Sequence, residues 1–89
     1  MSEDNVAIPA DIVWAVSKMT HIIGEEFTSS SEDGYHWQGP NDDWIVSLFW
    51  GGEKFKISIH HDFENPLDDK IMYALVGYAA YRGWEWNAP

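Results

Sequence analysis

Apolar and polar residues alternate on both sides of a glycine pair in the middle of the chain, and this pattern constrains the fold more than any other. Trp50-Gly51-Gly52-Glu53 predicts a two-residue hairpin turn, because paired glycines accept the positive φ angles of a type I′ turn. The apolar pairs of the resulting ladder are Leu48 with Phe55, Val46 with Ile57, and Trp44 with Ile59. The alternate positions are mixed in polarity, so the hairpin is expected to bury one face.

A second turn is predicted at Gly39-Pro40-Asn41-Asp42, where each residue type favours a tight turn. Folding the chain there sets Trp37 against Trp44 and Tyr35 against Val46. The sequence therefore predicts a three-stranded antiparallel meander, with strands over residues 34–38, 43–50 and 53–61.

Two amphipathic helices are expected to flank this meander. The first is predicted over residues 9–27, with Pro9 in its first turn and apolar residues at spacings of three and four. The second is predicted to begin at Asn65-Pro66, a capping residue followed by a proline, and to end at Gly83.

These elements predict an α+β fold of the α-β-β-β-α type, a three-stranded antiparallel meander with two helices packed on one face. The 89 residues are expected to form a single domain, residues 1–89. Residues 1–8 are interpreted as a loose N-terminal leader. Residues 84–89 are interpreted as a C-terminal tail or a short strand.

The charge balance excludes several classes of partner. Fifteen acidic residues against five basic ones give a net charge of −10, which disfavours direct contact with nucleic acid or an anionic membrane.

The chain has no cysteine, so it has neither disulfides nor thiolate metal ligands. Its acidic start does not resemble a secretory signal, and no apolar run reaches about 18 residues. We therefore expect a soluble, cytoplasmic protein.

Acidic residues cluster in the predicted turns and near the helix ends, and they are the first candidate partner-binding site. The candidates are Glu25, Glu26, Glu32, Asp33, Asp42, Asp43, Asp62 and Glu64. Carboxylates arranged like backbone phosphates can occupy a nucleic-acid-binding cleft, which is DNA mimicry. The alternative interpretation is a solvated surface that keeps an aromatic-rich protein soluble.

The sheet face without helices is the second candidate, as a partner-binding or homodimer surface. Two apolar residues, Ile45 and Phe49, are expected there beside Lys54 and Lys56. Six tryptophans are many for a small core, so Trp14 and Trp50 are further candidates. The alternatives are that the lysine stems cover Phe49 and that the extra tryptophans pack at the periphery.

No enzymatic or metal-binding pattern is evident. His60 and His61 are adjacent on a strand and so point to opposite faces, and His60 is expected to lie opposite Asp43. The serines lie in a polar connector with no base predicted beside them. We therefore predict no catalytic residue, no metal site and no cofactor, although a small metal-dependent enzyme built on the two histidines is a third hypothesis.

The general profile is short, cysteine-free, strongly acidic, aromatic-rich and without a catalytic motif. It is similar to that of phage-encoded inhibitors of host machinery, including anti-CRISPR and anti-restriction proteins, which act in the host cytoplasm. It is similar also to immunity proteins that neutralise toxins. The resemblance concerns composition and size and carries no residue over. It implies a stoichiometric inhibitor of a basic, nucleic-acid-handling target; the alternatives are an immunity or antitoxin protein and a homodimeric structural component joined through the open sheet face.

Overall fold

A computed structural model describes residues 10–51 and 54–89. Within them lie helices α1 (Ala10–Ile23) and α2 (Asp69–Arg82), and strands β1 (Ser29–Ser31), β2 (Gly34–Gln38), β3 (Trp44–Gly51), β4 (Lys54–His61) and β5 (Glu85–Asn87). The predicted leader over 1–8 and the predicted helix start at Pro9 lie outside the described residues. Neither helix has the length and apolar character required to cross a membrane.

The strands form one mixed sheet in the order β1-β2-β3-β4-β5, so the α+β class is confirmed. The first three junctions are antiparallel, and β5 pairs with β4 in parallel. The prediction of a three-stranded meander in α-β-β-β-α order was wrong in its extent. β1 was not predicted, because its three serines show no apolar alternation that would have marked a strand. β5 also has three residues, and it lies in the segment interpreted as a tail or a short strand.

The central hairpin pairs in a different register from the predicted one. Leu48 lies opposite Ile57 instead of Phe55, and the ladder ends with Gly51 opposite Lys54. The predicted turn at Gly51-Gly52 falls partly on residues 52 and 53, which lie outside the described residues. A shift of two residues leaves every side chain on its original face, so the apolar pattern alone cannot distinguish the two registers.

The junction of β2 with β3 is displaced by two residues for a related reason. Trp37 lies opposite Val46 instead of Trp44, and Tyr35 lies opposite Leu48 instead of Val46. The chain between the strands forms a short 3-10 turn over Pro40–Asp42, and the Gly39 amide donates to the Trp44 carbonyl at 2.9 Å. Because this connection is longer than the predicted turn, each residue of β2 pairs with a β3 residue that lies two positions further from the turn.

One core joins both helices to one face of the sheet. The sheet contributes Trp37, Val46, Leu48, Ile57 and Ile59, all buried. The helices and the segment before α2 contribute the buried residues Ala15, Met19, Ile23, Leu67, Leu75 and Ala79. Since side chains alternate along a strand, the opposite face carries Ile45, Ser47, Phe49, Lys56 and Ser58.

Helix α1 ends at Ile23, four residues before the predicted end at residue 27. Gly24 has a φ of +86°, and its amide donates to the Thr20 carbonyl, so the helix stops at a left-handed glycine. Phe27 continues the apolar spacing in the sequence, but it lies beyond the end of the helix. Its ring packs there against the rings of Tyr35 and Trp37.

Helix α2 begins later than predicted and ends where predicted. Its capping residue is Asp68, not Asn65: the Asp68 carboxylate accepts a hydrogen bond from the Lys70 amide at 2.8 Å. Gly83 ends the helix with a φ of +76°. The helix returns the chain to the start of β5, which supplies the crossover that a parallel pair requires.

Candidate functional site

Three separate segments bring carboxylates to the same end of the sheet. Residues 39–43 connect β2 to β3, residues 62–68 follow β4, and residues 24–28 lead into β1. Because neighbouring strands are antiparallel over β1 to β4, the end of β2, the start of β3 and the end of β4 coincide. We call this the acidic edge, and its members are Glu25, Glu26, Asp42, Asp43, Asp62 and Glu64.

Hydrogen bonds to backbone carbonyls hold the segments of the acidic edge together. The Asp62 amide donates to the Asp43 carbonyl at 2.8 Å, and the indole N–H of Trp37 donates to the Glu25 carbonyl at 3.1 Å. Asp43 is half-buried and the other five acidic-edge side chains are exposed. The edge is therefore a row of accessible carboxylates on a backbone that is fixed by the sheet.

A shallow depression of about 140 Å³ lies within the acidic edge. It is lined by Asp42, Asp43, Trp44, Ile45, His60, His61 and Asp62. Trp44 and Ile45 give it an apolar floor beside three carboxylates. A lysine or arginine stem with its charged end fits such a surface, because both side chains combine an apolar stem with a cationic tip.

The turn that presents Asp42 has an unusual backbone. Asn41 and Asp42 have φ angles of 57° and 58°, the left-handed region that residues other than glycine seldom adopt. Gly39 packs directly under the Trp44 ring, and a Cβ atom there would overlap Nε1, Cε2 and Cδ1 of that ring. The close approach of Trp44 thus leaves no room for a side chain at position 39.

Two of the sequence candidates lie at the opposite end of the sheet. Glu32 and Asp33 form the turn between β1 and β2, where the Asp33 carbonyl accepts from the Trp50 amide at 3.0 Å. The structure therefore separates them from the acidic edge, although all eight candidate carboxylates look alike in sequence.

Phe63 is a surface residue that the sequence analysis did not single out. It is 98% exposed and stands between Asp62 and Glu64 in the acidic edge. The signal that could have identified it is a single aromatic residue inside a polar, acidic connector. An aromatic side chain in that position can anchor a partner through apolar contact.

The sheet face opposite the helices carries a series of polar contacts between side chains. His36 Nδ1 lies 2.8 Å from Ser47 Oγ, and His36 Nε2 lies 3.3 Å from Ser31 Oγ. The expectation that no base lies beside the serines was therefore wrong for Ser31. Ser31 Oγ also donates to Asp33 Oδ1 at 3.0 Å. Since both imidazole nitrogens face serine hydroxyls, the arrangement ties β1, β2 and β3 together.

The two apolar side chains of that face, and the lysine beside them, are only partly exposed. Ile45, Phe49 and Lys56 are half-buried, and the Phe49 ring makes an edge contact with the His36 ring at 5.7 Å. Lys56 lies opposite Phe49, as expected if a lysine stem covers that ring. The side chain of Lys54 falls outside the described part of the structure.

The two candidate tryptophans have different surroundings. Trp50 is half-buried and its ring lies 5.1 Å from the ring of Tyr35, which is peripheral packing. Trp14 is 71% exposed on α1. Near the C-terminus, Trp84 packs against Phe55 and Tyr78 and so attaches the tail to the sheet.

The histidine pair is not arranged as a metal site. His60 lies opposite Ile45, so the predicted pairing with Asp43 was wrong because of the two-residue register shift. His60 Nε2 lies 3.2 Å from Ser58 Oγ instead. Over residues 10–51 and 54–89, no group of three or more histidine and acidic side chains is placed to hold a metal ion.

No family model matches the chain, and no curated protein or solved structure matches it either.

Proposed function

We propose that this chain is a protein-binding protein whose acidic edge docks on a cationic, nucleic-acid-handling partner and inhibits it stoichiometrically. The observation that supports this most is the gathering of carboxylates from three segments at one end of the sheet. A partner surface built to hold phosphates presents lysine and arginine, and carboxylates can occupy the same positions.

The placement of these carboxylates is not explained by the needs of the fold. Glu25 and Glu26 follow the C-terminal end of α1, where the helix dipole disfavours negative charge. Asp42 occupies a left-handed backbone position, which asparagine adopts as readily as aspartate, so the turn does not require a charge there. By contrast, Asp68 caps α2, and Asp69 lies in its first turn, where negative charge is favourable. Acidic residues at positions where the fold does not require a charge support a role in binding.

Phe63 adds an apolar anchor to this charged surface. Charge attraction increases the rate of encounter, whereas buried aromatic contacts slow dissociation. Because Phe63 is fully exposed and flanked by carboxylates, it can enter a pocket on the partner while its neighbours contact basic groups around the rim. The combination predicts a partner with an apolar pocket inside a basic surface.

The proposal can be tested with two triple variants that remove the same number of charges. The first changes the acidic edge (Glu25→Gln, Asp42→Asn and Asp62→Asn), and the control changes the other end (Glu32→Gln, Asp33→Asn and Glu85→Gln). Each tagged protein is used to capture partners from cell lysate, and the captured proteins are identified and assayed for nucleic-acid binding.

We expect the wild-type chain to capture a basic nucleic-acid-binding protein and to block its activity at a ratio of one to one. The affinity of the acidic-edge triple variant for the partner should fall by about tenfold or more, because each exposed ion pair across an interface contributes up to about 1 kcal/mol. The affinity of the control triple variant should not change. Equal loss in both triples would mean that total charge matters and the edge does not.

A further inference from the structure

Helix α2 is uncharged over eleven consecutive residues, 71–81. Its inner side packs into the core through Ile71, Met72, Leu75, Val76 and Ala79. Its outer side consists of Tyr73, Ala74, Gly77, Ala80 and Tyr81, all exposed. Tyr73 is 69% exposed and Tyr81 is 84% exposed. We call these five outer residues the α2 face.

A surface helix of a globular protein normally carries charged or polar residues on its outer side, and a helix that is hydrophobic all round is normally buried on both sides. Helix α1 follows the first pattern, with Asp11, Lys18 and His21 exposed. Helix α2 has the composition of the second pattern, but within the described chain its outer side is uncovered. This mismatch indicates that something beyond residues 10–51 and 54–89 of one copy covers the α2 face.

Gly77, at the centre of the α2 face, is also not explained by its neighbours in the described part of the chain. Glycine destabilises a helix interior more than any residue except proline. A Cβ atom at position 77 would meet nothing within 4 Å there, so no contact with a described residue requires a glycine. A glycine is required where a second backbone approaches the helix closely.

We infer that two copies of this chain associate through their α2 faces, with the helices crossing in antiparallel fashion near Gly77. Tyr73 and Tyr81 each lie four residues from Gly77, so they are one turn away on either side. A two-fold axis at Gly77 places Tyr73 of one copy beside Tyr81 of the other, and the reverse, as a self-complementary interface requires.

Charge also favours a second copy as the occupant. Each copy has a net charge of −10, so most surfaces of two copies repel one another. From Lys70 to Arg82 the helix has no carboxylate, and two α2 faces can meet without opposing acids. A buried aromatic side chain covers about 150–250 Å². Four tyrosines therefore supply a large part of the roughly 1,200 Å² that a small specific interface buries.

The test is sedimentation equilibrium of the full chain from about 1 µM to about 300 µM, a range chosen because interfaces of this kind extend to micromolar affinity. The mass of the wild-type chain is expected to rise from 10.2 kDa to twice that value. In 1 M sodium chloride the dimer should be as strong or stronger, because salt screens the repulsion between acidic copies.

Two variants and a matched control assign the interface. Gly77→Gln should raise the melting temperature of the monomer by about 2–6 °C, since glutamine favours a helix, while weakening the dimer at least about tenfold. Tyr81→Gln should weaken it to a similar degree. Trp14→Gln changes another exposed aromatic residue, which lies on α1, and should leave the dimer unchanged.

Three results would overturn the inference. The first is a wild-type chain that stays monomeric over the whole concentration range. The second is a dimer that survives both Gly77→Gln and Tyr81→Gln. The third is a dimer that is lost only in Phe49→Lys, which would assign it to the opposite sheet face. The acidic-edge triple should dimerise like the wild type, so failure here and failure of the proposed function are separate outcomes.

Discussion

The acidic edge and the α2 face are two surfaces of one small chain with opposite chemistry. The edge collects exposed carboxylates from three connecting segments, whereas the α2 face is a single helix side with no charge between residues 71 and 81. We propose that the edge attracts a cationic partner, and such binding should weaken as salt is added. We infer that the α2 face associates through apolar contact, and such association should be unaffected or strengthened by salt. Net charge therefore describes only one of the two surfaces.

Two glycines, Gly39 beneath the acidic edge and Gly77 in the α2 face, allow a direct comparison of the two regions, and Gly39 carries the largest expected effect on folding. Gly39→Ala should destabilise the protein by about 1–3 kcal/mol, because the added Cβ overlaps the Trp44 ring beneath the acidic edge. Urea unfolding measures the change. A stability equal to the wild type would show that the turn can move away from Trp44, and that the acidic edge is not held in one shape.

The exposed aromatic of the acidic edge should matter for binding and not for folding. Phe63→Ser is expected to lower affinity for the captured partner by about tenfold or more, the typical effect of truncating an aromatic anchor. Its melting temperature should not change, since Phe63 is fully exposed. Calorimetric titration provides the affinity, and an unchanged dissociation constant would remove Phe63 from the proposed interface.

The second glycine should behave in the opposite way from the first. Gly77→Ala is expected to stabilise the monomer by about 0.5–1 kcal/mol, because alanine favours the helix and its Cβ meets no neighbour. The measurement is urea unfolding at a concentration below that of dimer formation. Destabilisation would mean that position 77 is constrained within the monomer, and the argument for a close intermolecular approach would fail.

The smallest effect is expected at the left-handed turn. Asp42→Gly should stabilise the chain by a few tenths of a kcal/mol up to about 1 kcal/mol, because glycine adopts a positive φ without strain, although it also gains freedom in the unfolded chain. Asp42→Asn is the matched control, since it removes the same charge and tolerates the same backbone. If both variants are equally stable, charge repulsion and not backbone strain accounts for the change.

Sequence reasoning identified the parts of the fold that depend on strong local signals. The apolar alternation of β3 and β4 fixed which residues face the core, and Gly83 fixed the end of α2. The register was misplaced by two residues, because alternation is unchanged by such a shift. Strand β1 consists of three exposed serines, so its pairing with β2 depends on tertiary contacts that no local pattern records.

The candidate site was predictable only in part for a similar reason. Runs such as Asp42-Asp43 are visible in the sequence, but which runs meet depends on the strand order, and Glu32 and Asp33 proved to lie at the far end. Phe63 is unremarkable until its exposure is known. The α2 face cannot be recognised as a surface from the sequence, because tyrosine, alanine and glycine at helical spacing resemble the core side of a helix.

The salt dependence of partner binding tests the central claim most directly. The dissociation constant for the captured partner is measured from about 50 mM to about 500 mM sodium chloride for the wild type and the acidic-edge triple. The acidic-edge account predicts that wild-type affinity falls steeply, by about a hundredfold or more, and that the triple shows a much shallower slope. Equal slopes, or a wild-type affinity that ignores salt, would contradict it.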